Sequence, residues 1–151
     1  MLMDKKQAVS DGPGIAGLVR EAGVVGAGGA GFPTHVKLAA KADLVIANGA
    51  ECEPLLHIDQ TIMHHQADRV IIGLEAAMQA VGATRGVIAT KKHYHEAVEA
   101  LEKAIAGKKE LSLFLMDSYY PAGDEKSLNH DVTGEVVRSA KLPADYGCVV
   151  C

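Results

Sequence analysis

Apolar and polar positions alternate along this chain between two kinds of segment. Residues 11–22 place Ile15, Leu18 and Val19 at helical spacing, and Gly23 stops them. From Gln66 to Val81, the residues Val70, Ile71, Leu74, Ala77, Met78 and Val81 keep one helical face, with Gly82 as the stop. His95 to Ala106 repeats the pattern through Val98, Leu101 and Ile105, and Gly107 ends it. Between these helices lie short unbroken apolar runs, Asp43–Ala47, Gly86–Thr90 and Leu111–Met116, as expected of strands buried on both faces of a parallel sheet. The alternation predicts an α/β domain: a parallel sheet with helices packed on it, joined by right-handed crossovers. Cys148-Val-Val-Cys151 reads as a further strand, which either opens a longer segment or pairs with a sheet edge. The organisation expected is an N-terminal helix over 1–22, one α/β domain over 23–147, and the start of a following segment at 148–151.

The stretch Val24 to Lys37 fits neither pattern. It carries Gly26, Gly28, Gly29 and Gly31, then Phe32 and Pro33, then a helix-like run with Lys37 one turn in. Glycine lets the backbone reach positive φ and lets a ligand lie against the main chain. With Pro33 at the first helical position, the glycines would approach a helix N-terminus, where free N–H groups and the helix dipole favour an anion. Gly26 to Gly31 also spell G-x-G-x-x-G, a fingerprint that belongs after a strand. The element before it reads as helix, so the dinucleotide fingerprint is a poor match and the anion cradle is the better reading.

Two predicted strands end in loops rich in small and charged residues. Asn48-Gly-Ala-Glu51-Cys-Glu53-Pro follows the first, and Tyr119-Tyr120-Pro-Ala-Gly123-Asp124-Glu125-Lys126 follows the third. Open α/β sheets bind ligands at the carboxyl ends of their strands. Glu51 and Glu53 taken alone read equally well as solvated loop charges. Their meeting the glycine loop in space would make them ligand groups.

Composition narrows the options. The chain has 151 residues, 48% of them hydrophobic and 4% aromatic, which suits a core of Ala, Val, Ile and Leu. A net charge of -4 and a pI near 5.9 exclude an electrostatic footprint for nucleic acid. No apolar run approaches the roughly 18 residues of a membrane span, so a soluble, cytoplasmic protein is expected. Three cysteines suggest thiols rather than a disulfide frame. Cys148 and Cys151 form a C-x-x-C without the second pair of a zinc site, and a redox dithiol is the weaker reading on a strand. Cys52 reads as a small filler or as a neighbour of a ligand. His57, His64, His65, His93 and His95 fit exposed, partner-facing positions better than a metal site, so no metal is expected.

Three blocks together resemble a known family. Gly26 to Leu38, Asn48 to Pro54 and Tyr120 to Glu125 stand in the order and approximate spacing of the flavin domain of the Rnf complex C subunit, which is related to the NADH-oxidising flavoprotein of respiratory complex I. Within that group the chain is similar to the Pdu-type cobalamin reductase of bacterial microcompartments, with the proline-reductase-associated electron-transfer protein next. The resemblance covers nearly everything from residue 15 onward.

It implies FMN held without a covalent bond, reduced by hydride from NADH and emptied singly into iron–sulfur clusters. Gly26, Gly28, Gly29 and Lys37 would line the flavin and its phosphate side, and Asn48 and Glu51 the isoalloxazine or ribityl edge. Tyr120, Gly123 and Asp124 would close the pocket. Phe32, Glu53 and Glu125 would lie on the NADH side. Ala27 and Ala50 stand where the complex I protein has arginine and aspartate. The family also implies a continuation past Cys151 that completes the phosphate site and carries the clusters. The expected partners are NADH and a downstream acceptor, cobalamin or a redox protein, with no direct membrane insertion. A non-catalytic docking module that keeps the same fold is the alternative.

Overall fold

The structure is a computed structural model that describes residues 14–27, 31–53 and 55–151. In chain order its elements are α1 (Ile15–Glu21), α2 (Thr34–Leu38), β1 (Leu44–Gly49), α3 (Ile58–His65), α4 (Ala67–Val81), β2 (Arg85–Lys91), α5 (His95–Ala104), β3 (Leu111–Met116), α6 (Glu125–Thr133), a 3-10 turn (Pro143–Tyr146) and β4 (Cys148–Val150). The strands form one parallel sheet in the order β3-β2-β1-β4. Ile46 stands opposite Val87 of β2 and Val150 of β4. The expected α/β architecture is what forms, and Cys148–Val150 pairs with the free side of β1.

Side chains alternate across the sheet and build a core on each face. Val45, Ile88 and Val149 point toward α4 and α5, where they meet Ile71, Leu74, Met78 and Leu101. Ile46, Ala89, Cys148 and Val150 point the other way, onto Leu128 of α6. Val45, Ile46, Ile88, Leu101 and Leu128 are at most 1% exposed, and full burial of each such side chain stabilises by about 1.5–3 kcal/mol. Gly82 ends α4 in the left-handed conformation at φ +77°, as its stop signal predicts.

The glycine approach differs from expectation. Pro33 is not the first helical residue: it caps α2 with extended backbone (ψ 112°), and α2 has only 5 residues. The loop instead closes on itself. Val25 and Pro33 form an antiparallel bridge, Gly26 N–H donates to the Phe32 carbonyl at 2.9 Å, and Thr34 N–H donates to the Val24 carbonyl at 3.2 Å. Backbone donors that an anion would need at this helix start are therefore partly spent within the loop. Gly28 and Gly29 lie outside the described residues.

Candidate functional site

The chain folds β1, β2 and β3 outward in one direction, then crosses to the far side of β1 to lay down β4. The carboxyl ends of β1 and β4 consequently flank the point where the strand order reverses, where open α/β sheets leave a crevice. Described residues of all three sequence blocks meet here: Lys37 of the first, Asn48 of the second, and Gly123 and Glu125 of the third.

Lys37 reaches this crevice from α2. Its ammonium donates to the Val150 carbonyl at 2.7 Å and to Glu125 Oε1 at 3.2 Å, and it lies 5.4 Å from the centre of the Phe32 ring. The Lys37 and Glu125 side chains are 25% and 36% exposed, so the pair is shielded on the protein side and open on the other. Phe32, Lys37, Glu125, Cys148 and Val150 share the walls of a small cavity of about 130 Å³. The pairing joins two residues that the resemblance assigns to different ligands, Lys37 to the phosphate and Glu125 to the nicotinamide nucleotide.

The second and third blocks are tied by side-chain bonds to one glycine. Asn48 Nδ2 donates to the Gly123 carbonyl at 3.0 Å, and Gly123 N–H donates to Cys52 Sγ at 3.1 Å. A Cβ at position 123 would lie 2.4 Å from the Ala50 carbonyl oxygen and 2.9 Å from Cys52 Sγ, so only glycine fits this approach. Asn48 Oδ1 accepts from Ala50 N–H at 3.2 Å, which leaves its amide engaged in holding the two loops together. Cys52 thereby has a definite task as the acceptor for Gly123.

Glu51 is 8% exposed. Its Oε1 accepts from Ile58 N–H at 2.7 Å at the start of α3, while its Oε2 is buried with no partner among the described residues. The Lys91 ammonium, from the end of the neighbouring strand, donates to the Glu51 carbonyl. Burial, and then the Glu51 charge, push the Asp59 carboxyl above its ordinary value. The Tyr94 phenol is raised by burial first and then by Glu51, Asp59 and Cys52. Glu53, two residues on from Glu51, is exposed.

In the third block Tyr120 is 83% exposed at the rim. Asp124 caps α6, accepting from Ser127 N–H and Oγ at 3.0 Å each, so its carboxylate has a structural partner beside any ligand role. The neighbouring Tyr119 phenol is pushed up to about 12, chiefly by its hydrogen bond to Asp131 and then by burial. Among the described residues no three His, Cys, Asp or Glu side chains surround a metal position. Cys148 and Cys151 are both free thiols. Burial foremost pushes the Cys148 thiol up to about 11, a poor start for redox chemistry.

Lys91 and the Val150 carbonyl carry no sequence signal of their own. Lys91 gains its place from register, since β2 ends alongside β1 with Thr90 opposite Gly49. A carbonyl acceptor is invisible in a sequence.

Residues 19–151 match the Nuo51 FMN-binding domain. The chain is 46% identical over 144 residues to the C component of the Na(+)-translocating ferredoxin:NAD(+) oxidoreductase complex of Acetobacterium woodii, covering 93% of this chain and 32% of that protein. It is 48% identical over 132 residues to the cobalamin reductase PduS of Salmonella typhimurium, covering 87% of this chain and 29% of the relative. Among solved structures, an NAD+-reducing [NiFe]-hydrogenase in the H2-reduced state aligns with a TM-score of 0.75 and 25% identity, over 91% of this chain and 28% of that one. The chain thus spans under a third of the length of either curated relative. It belongs to the Nuo51 FMN-binding domain family.

Proposed function

We propose that the crevice at the carboxyl ends of β1 and β4 holds FMN without a covalent bond and receives NADH beside it, making this chain the electron-entry domain of a flavoprotein oxidoreductase. The observation that carries the reading is the meeting of Lys37, Glu125 and the Val150 carbonyl at the strand reversal, with the Phe32 ring alongside. The residues present suit the cofactor. A phosphate calls for a cation, and the Lys37 ammonium stands at the crevice with its open side free. A flavin ring calls for an apolar surface with a few polar edge groups, which Phe32, Tyr120, Asn48 and Glu51 would provide. Gly123 and Asp124 close that side, with Gly28 and Gly29 on the undescribed part of the loop.

When bound, FMN supplies the capacity to take an electron pair from NADH and release electrons singly. The chain's own groups bind and orient. Lys37 neutralises phosphate charge, Glu125 fixes the Lys37 ammonium, and the Asn48–Gly123–Cys52 bonds hold two loops at one spacing. Phe32, Glu53 and Glu125 face the nicotinamide nucleotide. The electrons would leave through iron–sulfur clusters outside these residues, toward cobalamin or a redox protein. The names of the relatives support this range, since they include a component of a ferredoxin:NAD(+) oxidoreductase and a cobalamin reductase. No described helix is long and apolar enough to cross a membrane. The setting proposed is cytoplasmic, within a microcompartment where cobalamin is the acceptor, and rests on the likeness to the cobalamin reductase.

Titrating the purified chain with FMN, by quenching of flavin fluorescence, tests the reading directly. Saturable uptake and bleaching of the flavin absorbance on anaerobic addition of NADH are expected. A protein that takes up neither FMN nor NADH is a docking module with the flavoprotein fold, and overturns the proposal.

A further inference from the structure

The sheet has two outer strands, β4 and β3, and their edges differ. Cys151 N–H and C=O bond to β1, so the Val150 carbonyl faces outward, where the Lys37 ammonium covers it at 2.7 Å. At the other edge β3 is a run of 6 residues, Leu-Ser-Leu-Phe-Leu-Met, without a charge, a proline or a glycine. Edges are ordinarily blunted by such residues or by a covering group, and a bare apolar edge is a template for another strand. We propose that β3 is the surface through which two copies of this chain associate, edge to edge and antiparallel about a twofold axis at Leu113, so that their sheets become one.

The ladder to β2 locates the free backbone groups. Gly86 N–H donates to the Glu110 carbonyl at 2.9 Å, and Lys92 N–H donates to the Met116 carbonyl at 3.0 Å. Even-numbered residues of β3 therefore bond to β2, and the N–H and C=O groups of Leu113 and Leu115 point away from it. Leu111 N–H is spent on the Lys108 carbonyl at 3.2 Å, while the Leu111 carbonyl shares the outward side. With Leu113 opposite the partner's Leu113, the two residues exchange both of their bonds. Each Leu115 N–H then donates to the partner's Leu111 carbonyl.

A second copy is the occupant because the strand is complementary to itself. Residues 109–117 read Lys-Glu-Leu-Ser-Leu-Phe-Leu-Met-Asp, with Leu113 at the centre. The twofold sets Leu111 opposite the partner's Leu115, and Lys109 opposite the partner's Asp117, so each end of the pairing closes on opposite charges. Lys109 and Asp117 are both exposed. Leu115, 39% exposed, gains an apolar neighbour. On the other face the half-buried Phe114 stands opposite the partner's Ser112, which places the two Phe114 rings diagonally across the axis, within reach of one another. A slip of two residues would set Leu111 against the partner's Asp117, so the charges fix the register. The crevice at β1 lies two strands away and stays open.

Sedimentation equilibrium of the purified chain, from about 1 μM to about 1 mM, tests the proposal. A reversible rise from 15.8 kDa to twice that mass is expected. Leu115→Lys, which puts a charge on the edge, should weaken association at least about tenfold. Asp117→Lys should weaken it by setting like charges opposite at both ends, and Lys109→Asp/Asp117→Lys should recover most of the loss. Asp117→Lys also removes the 2.8 Å ion pair with Lys92, an effect that the double variant would not repair. Amide exchange at Leu113 should slow as the concentration of native protein rises, a readout that needs no variant. A chain that stays at 15.8 kDa throughout leaves the edge to a strand of another protein and overturns the proposal. A dimer that Leu115→Lys and Asp117→Lys leave unchanged, with Leu113 exchange independent of concentration, uses another face and overturns it equally.

Discussion

Lys37 Nζ and Glu125 Oε1 stand 3.2 Å apart although the residues are separated by most of the chain, and the same ammonium reaches the Val150 carbonyl at 2.7 Å. One cation thus joins α2, the start of α6 and the end of β4. A lysine in that position is held by two acceptors and still presents its open side to the crevice. On the proposed assignment Lys37→Ala removes the cation of the phosphate as well as the partner of Glu125, so FMN affinity should fall about ten- to one-hundredfold, equal to about 1.4–2.7 kcal/mol. NADH affinity should fall less. Glu53→Ala should do the reverse. Parallel titrations of each variant with both ligands check the assignment, and equal losses for the two ligands would contradict it.

Gly123 carries a sharper steric prediction. The Ala50 carbonyl oxygen occupies the place where a Cβ would sit, at 2.4 Å, and backbone cannot give way as a flexible side-chain end can. Gly123→Ala should cost about 1–3 kcal/mol of stability, visible as a lower urea midpoint. It should also separate the Asn48 and Tyr120 loops and weaken FMN. A variant with native stability would show that the loops adjust freely.

Lys91 acts at one remove from the crevice. Its ammonium donates to the Glu51 carbonyl and lies 5.8 Å from the Tyr94 ring centre. A hydrogen bond from a charged donor is worth about 1.5–3 kcal/mol, so Lys91→Met should loosen the loop that carries Glu51 and Glu53. The expected result is FMN affinity lowered about tenfold with the far-ultraviolet spectrum unchanged. Lys91→Arg should recover part of the loss. Unaltered FMN affinity in Lys91→Met would remove this residue from the positioning of the site.

The sheet and its two long helices are legible in the sequence because burial leaves a periodic trace. Val45, Ile46 and Ile88 fill runs too apolar for a solvated strand, and Ile71, Leu74 and Met78 repeat at helical spacing. Two helices leave no such trace. In α3, Ile58 and Ile62 are 59% and 41% exposed while Met63 is buried, so its apolar residues do not mark the core face. In α6, Leu128 is the buried apolar anchor among polar neighbours, and Asp124 reads as a loop carboxylate although it is the cap. The site is legible as three blocks of suggestive chemistry. What joins them depends on strand order: Val150 meets Lys37 because β4 lies beside β1, and Lys91 meets Glu51 because β2 lies on the other side.

Asp59 links the site to a pH effect whose sign can be fixed. It sits in the first turn of α3, where a carboxylate ordinarily gains about 0.3–1 kcal/mol from the helix dipole. Glu51 already occupies that helix start through its bond to Ile58 N–H. Burial and the Glu51 charge prevail, and the folded-state Asp59 carboxyl holds its proton above its ordinary value of 3.8. A group raised in the folded state stabilises the fold at low pH and loses that contribution as pH rises through the folded value. The ionised Asp59 is therefore a burden at neutral pH. Asp59→Asn should raise the thermal midpoint at pH 7, and its advantage over the native chain should shrink as pH falls toward 3.8. Calorimetry of both proteins across that window measures the difference, with the carboxylates remote from Asp59 cancelling between them. A variant less stable than the native chain at pH 7 would mean that the Asp59 anion has a favourable partner that outweighs burial and the Glu51 charge, and would overturn the prediction.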